Sequence, residues 1–502
     1  MRTPTDAHEQ VVPDRRRRLL ILVICSMSLL IVGLDATIVN VALPAIQRSF
    51  HSTLSGLQWT VDAYTLVLAS LLMLAGWTAD RLGRRRVFQA GLVLFSVGSL
   101  LCALAPSLEL LVASRVLQAM GGAMLSPVAM SIVRNVFEDP RERAQAIGVF
   151  AAMFGISMAL GPVLGGFLVS AISWRAIFLV ALPVALAAIV LAALFVPESR
   201  APGPRRIDPV GQVLVITALA ALTYATIEGE RVGFGELRIV IVLALALGSF
   251  AALVLYELRR REPLLELRFF TSAPFAGASA IAVCLSAALG GFLFMNTLYL
   301  QDVRGLSPLH GGLFMLPTAT MMIVFAPLSG RLVGRFGARP SMVAGGLAVL
   351  AGGLMLTSLA PGTSVPFLLS AYAVFGFGFA LVSPPIANTA VSGMPPAQAG
   401  VAAAVATTSR QVGLTLGVAV LGAVAGGGLG GEIGRGFAHA TRPGWWIVAA
   451  LGLAVAALGY LTTTGWARGT ARRTAQRLAE PDLRGREARH PLRAESACAT
   501  PG

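Results

Sequence analysis

Three charged side chains stand where the surrounding residues are apolar. Asp35 lies in LLIVGLDATIVNVALPAIQ (29–47), Asp62 in WTVDAYTL (59–66) and Arg115 at the head of RVLQAMGGA (115–123). A carboxylate in such a segment is expensive to bury, so it requires a partner, a water-filled cavity or a chemical task. The chemistry open to it is proton exchange. An aspartic acid titrates near about 3.9 in water; burial raises that value by up to ~3–5 units, and a nearby guanidinium pulls it down. A carboxyl that alternates between those surroundings takes up a proton on one side and gives it back on the other. By helical rise, Asp35, Arg115 and Asp62 lie ~12, ~10 and ~8 Å from the outer ends of their respective spans. An Asp35–Arg115 contact, direct or through water, is therefore geometrically open. The simpler readings are a purely structural ion pair for Asp35 and a hydrated interfacial position for Asp62.

The elements that must hold these residues are membrane helices. Of 502 residues, 56% are hydrophobic and 13% are charged, with a mean hydropathy of +0.77; a soluble chain carries about a quarter charged residues. Stretches of about twenty apolar residues number fourteen, the first at 19–43 and the last at 444–464. The first has the flanking arginines of a signal peptide, but it is too long, shows no small-residue cleavage site before Asp35, and precedes thirteen more stretches. The fold class expected is all-α, with fourteen transmembrane helices. With the N-terminus inside, 30 of the 39 arginines fall on the cytoplasmic side, seven outside, and two, Arg115 and Arg410, within spans. That bias places both termini in the cytoplasm. The basic tail, 465–502, reads as a solvated, partly disordered extension rather than a nucleic-acid arm, so the net charge of +15 does not imply a nucleic-acid partner.

Every basic residue is arginine and none is lysine. Coding bias in a GC-rich genome accounts for this, yet it has a chemical consequence. A GxxxxGK[ST] phosphate loop needs its lysine, so any pumping draws on an ion gradient or on a separate subunit. The four cysteines form no CxxC pair and the five histidines are scattered, so neither a metal site nor a disulfide framework is expected.

Two predicted cytoplasmic loops resemble each other. GWTADRLGRRR (76–86) aligns with GRLVGRFGARP (330–340), matching Gly76 to Gly330, Arg81 to Arg335, Gly83 to Gly337 and Arg85 to Arg339. Each follows the second span of a half, the mark of a duplicated architecture. This divides the chain into an N-terminal segment (1–18), a six-helix bundle (19–196), a linker with two extra helices (197–272), a second bundle (273–464) and the tail (465–502). Asp80 corresponds to Gly334, so only the first copy has an acid able to form a latch between the halves; the alternative is a tight turn carrying positive-inside arginines.

Here the chain resembles the fourteen-span drug:proton antiporters of the major facilitator superfamily, over essentially its whole length. LDATIVNVALP (34–44) is similar to their first-helix signature and GWTADRLGRRR to the superfamily's loop motif. RVLQAMGGA resembles the helix-4 motif, with Ala119 at a usual glycine, and SMALGPVLGG (157–166) the helix-5 antiporter motif, with Ser157 at another. SWRAIFLVALP (173–183) and IDPVG (207–211) are further hallmarks. The resemblance implies two six-helix bundles plus two central helices, and export driven by the proton gradient with no cofactor. It implies proton coupling at Asp35 and Arg115, with Asp62 a further candidate, and a conformational latch at Gly76, Asp80, Arg81, Gly83, Arg84 and Arg85. A helix-5 region at Gly161, Pro162, Gly165 and Gly166 would separate exporters from importers, as a packing kink or as a hinge.

Candidates for a substrate cavity are the polar or aromatic residues within spans: Trp59, Tyr64, Gln118, Asn388, Arg410 and Gln411, of which the aromatics also suit interfacial anchoring. Two acids in one half and an arginine in the other do not advertise a strictly cationic substrate. The expected partners are protons, the bilayer and amphipathic small molecules, neutral or anionic, handled by a monomer in the plasma membrane. The function expected is proton-coupled efflux of drugs; the alternative is dedicated export of one host-made metabolite or antibiotic. A membrane enzyme would need a polar cluster near the interface, and a sensor a soluble output domain; neither is visible in the sequence.

Overall fold

In hydrocarbon every backbone N–H and C=O must be satisfied within the chain, so the apolar stretches form helices. The computed structural model describes residues 14–489 apart from 138, 201–207, 261–262, 393, 395–397 and 428–435. In chain order the helices are α1 (Arg15–Phe50), α2 (Leu54–Leu82), α3 (Arg84–Leu104), α4 (Leu108–Val136), α5 (Pro140–Ala171), α6 (Ala176–Phe195), α7 (Pro209–Val232), α8 (Leu237–Arg259), α9 (Ala273–Val303), α10 (Pro308–Phe336), α11 (Ala338–Leu356), α12 (Val365–Val391), α13 (Ala399–Gly426), α14 (Phe437–Leu461) and α15 (Gly465–Arg489). Thirteen are long and apolar enough to cross a membrane, and Gly155–Ala171 of α5 supplies a shorter apolar helix. The molecule is an all-α membrane protein of fourteen spans.

The internal echo extends to packing. α1 packs on α5 as α9 packs on α13, and α3 packs on α4 as α11 packs on α12. The two matched loop glycines adopt the same unusual backbone, with φ +115° at Gly83 and +79° at Gly337. Both end a helix where an L side chain is strained. The IDPVG motif is a helix start. Asp208 accepts a hydrogen bond from the Gly211 amide at 3.0 Å and Pro209 opens α7, the arrangement that satisfies a free N-terminal donor. Arg260 pairs with Asp208 at 3.2 Å, joining the start of α7 to the end of α8.

The compact units depart from the expected halves. One unit comprises 1–52, 71–207 and 307–313; the other comprises 53–70, 208–306 and 314–502. The first part of α2 therefore belongs with the later helices, the first turns of α10 belong with the earlier ones, and the extra pair α7 and α8 joins the second unit rather than forming a separate linker. The tail also departs from expectation, because 465–489 is helical. Ala467, Ala471, Thr474 and Leu478 are buried at helical spacing. Thr470 Oγ1 accepts from the Ala273 amide at 2.9 Å, and the hydroxyls of Thr474 and Thr271 lie 2.9 Å apart. A polar, arginine-rich composition concealed this stripe.

Gly83 has a second constraint that Gly337 lacks. A methyl group at 83 would lie 2.6 Å from a carboxylate oxygen of Glu198, whereas one at 337 would meet nothing within 4 Å. Gly83→Ala is expected to cost about 1–3 kcal/mol through backbone strain, with the clash added. Gly337→Ala should carry the strain alone. Thermal unfolding of the two purified variants in detergent checks the order.

Candidate functional site

Of the three charged residues singled out by position, Asp35 and Arg115 meet in the first unit. Arg115 and Gln118 stand one turn apart on α4 and so share a face. Both reach the carboxylate of Asp35 on α1. Arg115 Nη1 donates to Asp35 Oδ2 at 2.6 Å, and Gln118 Nε2 donates to Asp35 Oδ1 at 2.9 Å. Gln118 Nε2 also donates to Ser99 Oγ on α3 at 2.8 Å, while its Oε1 accepts from Arg115 Nη1 at 2.7 Å. The Arg115 guanidinium lies 5.8 Å from the centroid of the Phe178 ring on α6, within cation–π reach. The side chains of Arg115 and Asp35 are only 1% and 5% exposed. Each charge is thus compensated locally, and removing one partner from such a pair costs about 3–5 kcal/mol because the other is left buried alone.

Small residues let the three helices close around this cluster. A methyl at Gly98 would lie 2.5 Å from the Gln118 backbone nitrogen, so α3 approaches α4 at that level only as glycine. On the far side of α1, a methyl at Gly161 would overlap Thr37 Oγ1, and one at Gly165 would lie 2.6 Å from Ile38 Cγ1. Thr37 is two residues beyond Asp35, so these helix-5 glycines set how deeply the acid's own helix is seated. The same helix meets the first turns of α10: a methyl at Gly166 would lie 2.5 Å from the Pro308 carbonyl oxygen, and one at Gly312 would overlap that of Pro162.

The loop motif is held by local pairing. Asp80 Oδ1 accepts from Arg84 Nη2 at 3.0 Å and from Arg84 Nε at 3.2 Å. Arg81 stands 5.5 Å from the Trp77 ring. Glu198, just beyond α6, accepts from the Arg85 amide at 3.1 Å and approaches Arg86 at 3.8 Å. The Arg84 amide donates to the Ser199 carbonyl at 2.9 Å. Sequence reasoning missed Glu198. Its only signal is an acid in the PES tripeptide directly after an apolar run, and nothing local says which loop it will meet.

In the second unit, α2 and α13 run antiparallel. Gln58 Nε2 donates to the carbonyls of Val418 and Ala419 at 3.2 and 2.9 Å, and the hydroxyls of Thr65 and Thr415 lie 2.9 Å apart. Asp62, one turn from Thr65, is fully buried, which overturns the hydrated reading of that position. Its Oδ1 lies 3.4 Å from Thr65 Oγ1, and Oδ2 has no hydrogen-bond partner among the described residues.

The remaining cavity candidates scatter. Gln118 belongs to the Asp35 cluster, with both ends of its amide engaged. Trp59 donates to Glu228 Oε1 on α7 at 3.4 Å, its ring 6.2 Å from Tyr224. Tyr64 is buried, Gln411 is partly buried and Asn388 is exposed. Arg410 is partly buried and donates to the Ser383 carbonyl at 2.9 Å. Gln118 lies in the first unit and the other five in the second.

Comparison with known proteins agrees with this architecture. Residues 25–418 match the family model described as Major Facilitator Superfamily. The chain is 39% identical over 409 residues to the multidrug resistance protein Stp of Mycobacterium tuberculosis, covering 82% of this chain and 76% of that protein. It is 36% identical over 419 residues to the tetracenomycin C resistance and export protein of Streptomyces glaucescens, covering 83% and 78%. It is also 36% identical over 404 residues to the multidrug efflux pump LfrA of Mycolicibacterium smegmatis, covering 80% of each. Among solved structures, a D-xylose–proton symporter superposes with a TM-score of 0.64 at 15% identity, over 88% of this chain and 97% of that one. That likeness speaks to the fold. From the buried charge cluster, the paired loop glycines, the repeated helix packing and these matches together, the chain belongs to the Major Facilitator Superfamily.

Proposed function

We propose that this protein exports hydrophobic or amphipathic small molecules from the cytoplasm across the plasma membrane, in exchange for protons, with both termini cytoplasmic. The observation that carries the reading is the Asp35–Arg115–Gln118 cluster. It is a carboxylate inside a membrane span, held by a fixed cation and an amide that switches no charge of its own. The names of the relatives, multidrug resistance and antibiotic export proteins, support export as the direction and drugs or antibiotics as the cargo class.

In this mechanism Asp35 receives a proton from the outer side, and its hold on Arg115 weakens as the carboxylate charge is lost. α1, seated on Gly161 and Gly165, is then free to shift against α5. The proton leaves on the inner side and the ion pair re-forms while substrate moves out. Asp62 is a second proton acceptor on α2. The loop motif from Gly76 to Arg85 serves as the conformational latch, with Asp80 exchanging partners between states. No cofactor takes part.

A second reading, dedicated export of one host-made metabolite or antibiotic, draws on the tetracenomycin C relative. A susceptibility and efflux panel in a pump-deficient host separates the two by breadth. Loss of efflux on adding a protonophore is the expected result for either; efflux indifferent to it would contradict proton coupling.

Asp35→Asn should abolish proton-driven export in everted vesicles and, by stranding Arg115, destabilise the protein by about 3–5 kcal/mol. The double variant Asp35→Asn/Arg115→Gln should recover most of that stability while remaining inactive. Recovery of transport in the double variant would show the pair to be structural only. For Asp62, the Asn variant should stay folded, because no cation is left behind. The ratio of protons taken up to substrate exported should fall, as measured by parallel pH-dye and substrate fluxes in proteoliposomes.

A further inference from the structure

Arg410 is the one residue singled out as intramembrane and charged that the proton mechanism leaves unused. It lies about 16 Å into α13 by helical rise, at a depth where an arginine is retained only with a partner or a role. Its hydrogen bond lies beside two helix prolines. α12 carries two consecutive prolines, Pro384 and Pro385, and prolines cannot donate to the carbonyls four residues back. Leu381 is one of those carbonyls, and Ser329 Oγ donates to it at 2.7 Å. At the same break Arg410 Nη2 donates to the Ser383 carbonyl at 2.9 Å. A guanidinium has five N–H donors. Among the described residues this is its single hydrogen bond, and no carboxylate stands within ion-pair distance.

The other charges of this unit do not neutralise it. In the antiparallel register set by Gln58 opposite 418–419 and Thr65 opposite 415, Asp62 falls level with about residue 416. Arg410 is then displaced from it by about 9 Å along the axis. The contrast with the first unit is electrostatic: Arg115 is matched by a carboxylate at 2.6 Å, whereas Arg410 retains both its charge and most of its donors.

We propose that Arg410 is the recognition point for a carboxylate on the exported molecule, and that it selects such amphipathic anions over their neutral counterparts. This rests on the export reading and narrows its substrate class. A planar fork suits a two-oxygen anion better than a point charge does, so lysine is an incomplete replacement.

The test uses a matched pair of ligands, an amphipathic fluorophore bearing one carboxylate and its methyl ester. Their binding to the purified full-length protein in nanodiscs is measured by equilibrium dialysis. A charge-assisted pair predicts that the acid binds about tenfold or more tightly than the ester. R410Q should bring the acid down to the ester's affinity and leave the ester within about twofold, and R410K should fall between. Equal binding of acid and ester by the unaltered protein would overturn the proposal. So would a parallel loss of both ligands in R410Q, which would mark Arg410 as a clamp on the Ser383 carbonyl. Because dialysis needs no gradient, either failure leaves the export reading to stand on its own flux assays, and loss of flux with the binding difference intact would sink export alone.

Discussion

Asp35 and Arg115 are each nearly excluded from solvent, and each is tolerable there because the other is 2.6 Å away. Much of the first unit is arranged so that this pair can exist. The carboxylate has two oxygens to satisfy and the guanidinium satisfies one of them; Gln118 supplies the second donor and uses its own carbonyl to accept from Arg115. Ser99 on α3 takes the remaining amide hydrogen. The network thus draws on α1, α3 and α4; α3 approaches α4 at this level because Gly98 has no side chain, and Gly161 on α5 lets α1 seat closely against that helix. Small residues around a buried charge are therefore part of the electrostatics. They set the distances on which the Coulomb term depends.

The duplicated halves have diverged in the direction their chemistry requires. Both loops end a helix on a glycine with positive φ, so the backbone turn has been kept twice. Only the first turn is filled by a carboxylate, Glu198, and only the first holds an Asp80–Arg84 pair. Charge follows the same rule inside the membrane. The first unit closes its cation with an acid, and among the described residues of the second no acid pairs with Arg410.

Segment exchange adds a mechanical aspect. Residues 53–70 of α2 group with the later helices, where Gln58 and Thr65 bond to α13. Residues 307–313 group with the earlier ones, where the first turns of α10 meet Gly166 and Pro162. α2 itself is continuous across the change of unit. It carries Asp62 on one stretch and the start of the loop motif on the other.

Hydropathy, helical rise and arginine placement are properties of local sequence, and they were enough to specify an all-α membrane protein of fourteen spans. They also put Asp35 and Arg115 at one depth, because 1.5 Å per residue converts position in a span directly into height. Height leaves azimuth open. Which face of α4 turns toward α1 depends on how several helices pack at once, so Gln118 was legible as a polar residue within a span but not as the third member of the ion pair. For the same reason Asp62 was readable as hydrated when it is wholly enclosed, Glu198 went unnoticed, and the stripe from Ala467 to Leu478 was hidden by the charge around it. Composition and spacing by themselves determined what kind of solvent each residue would meet. Only the tertiary structure decided which neighbour it would meet there, because burial and pairing arise between segments far apart in the chain.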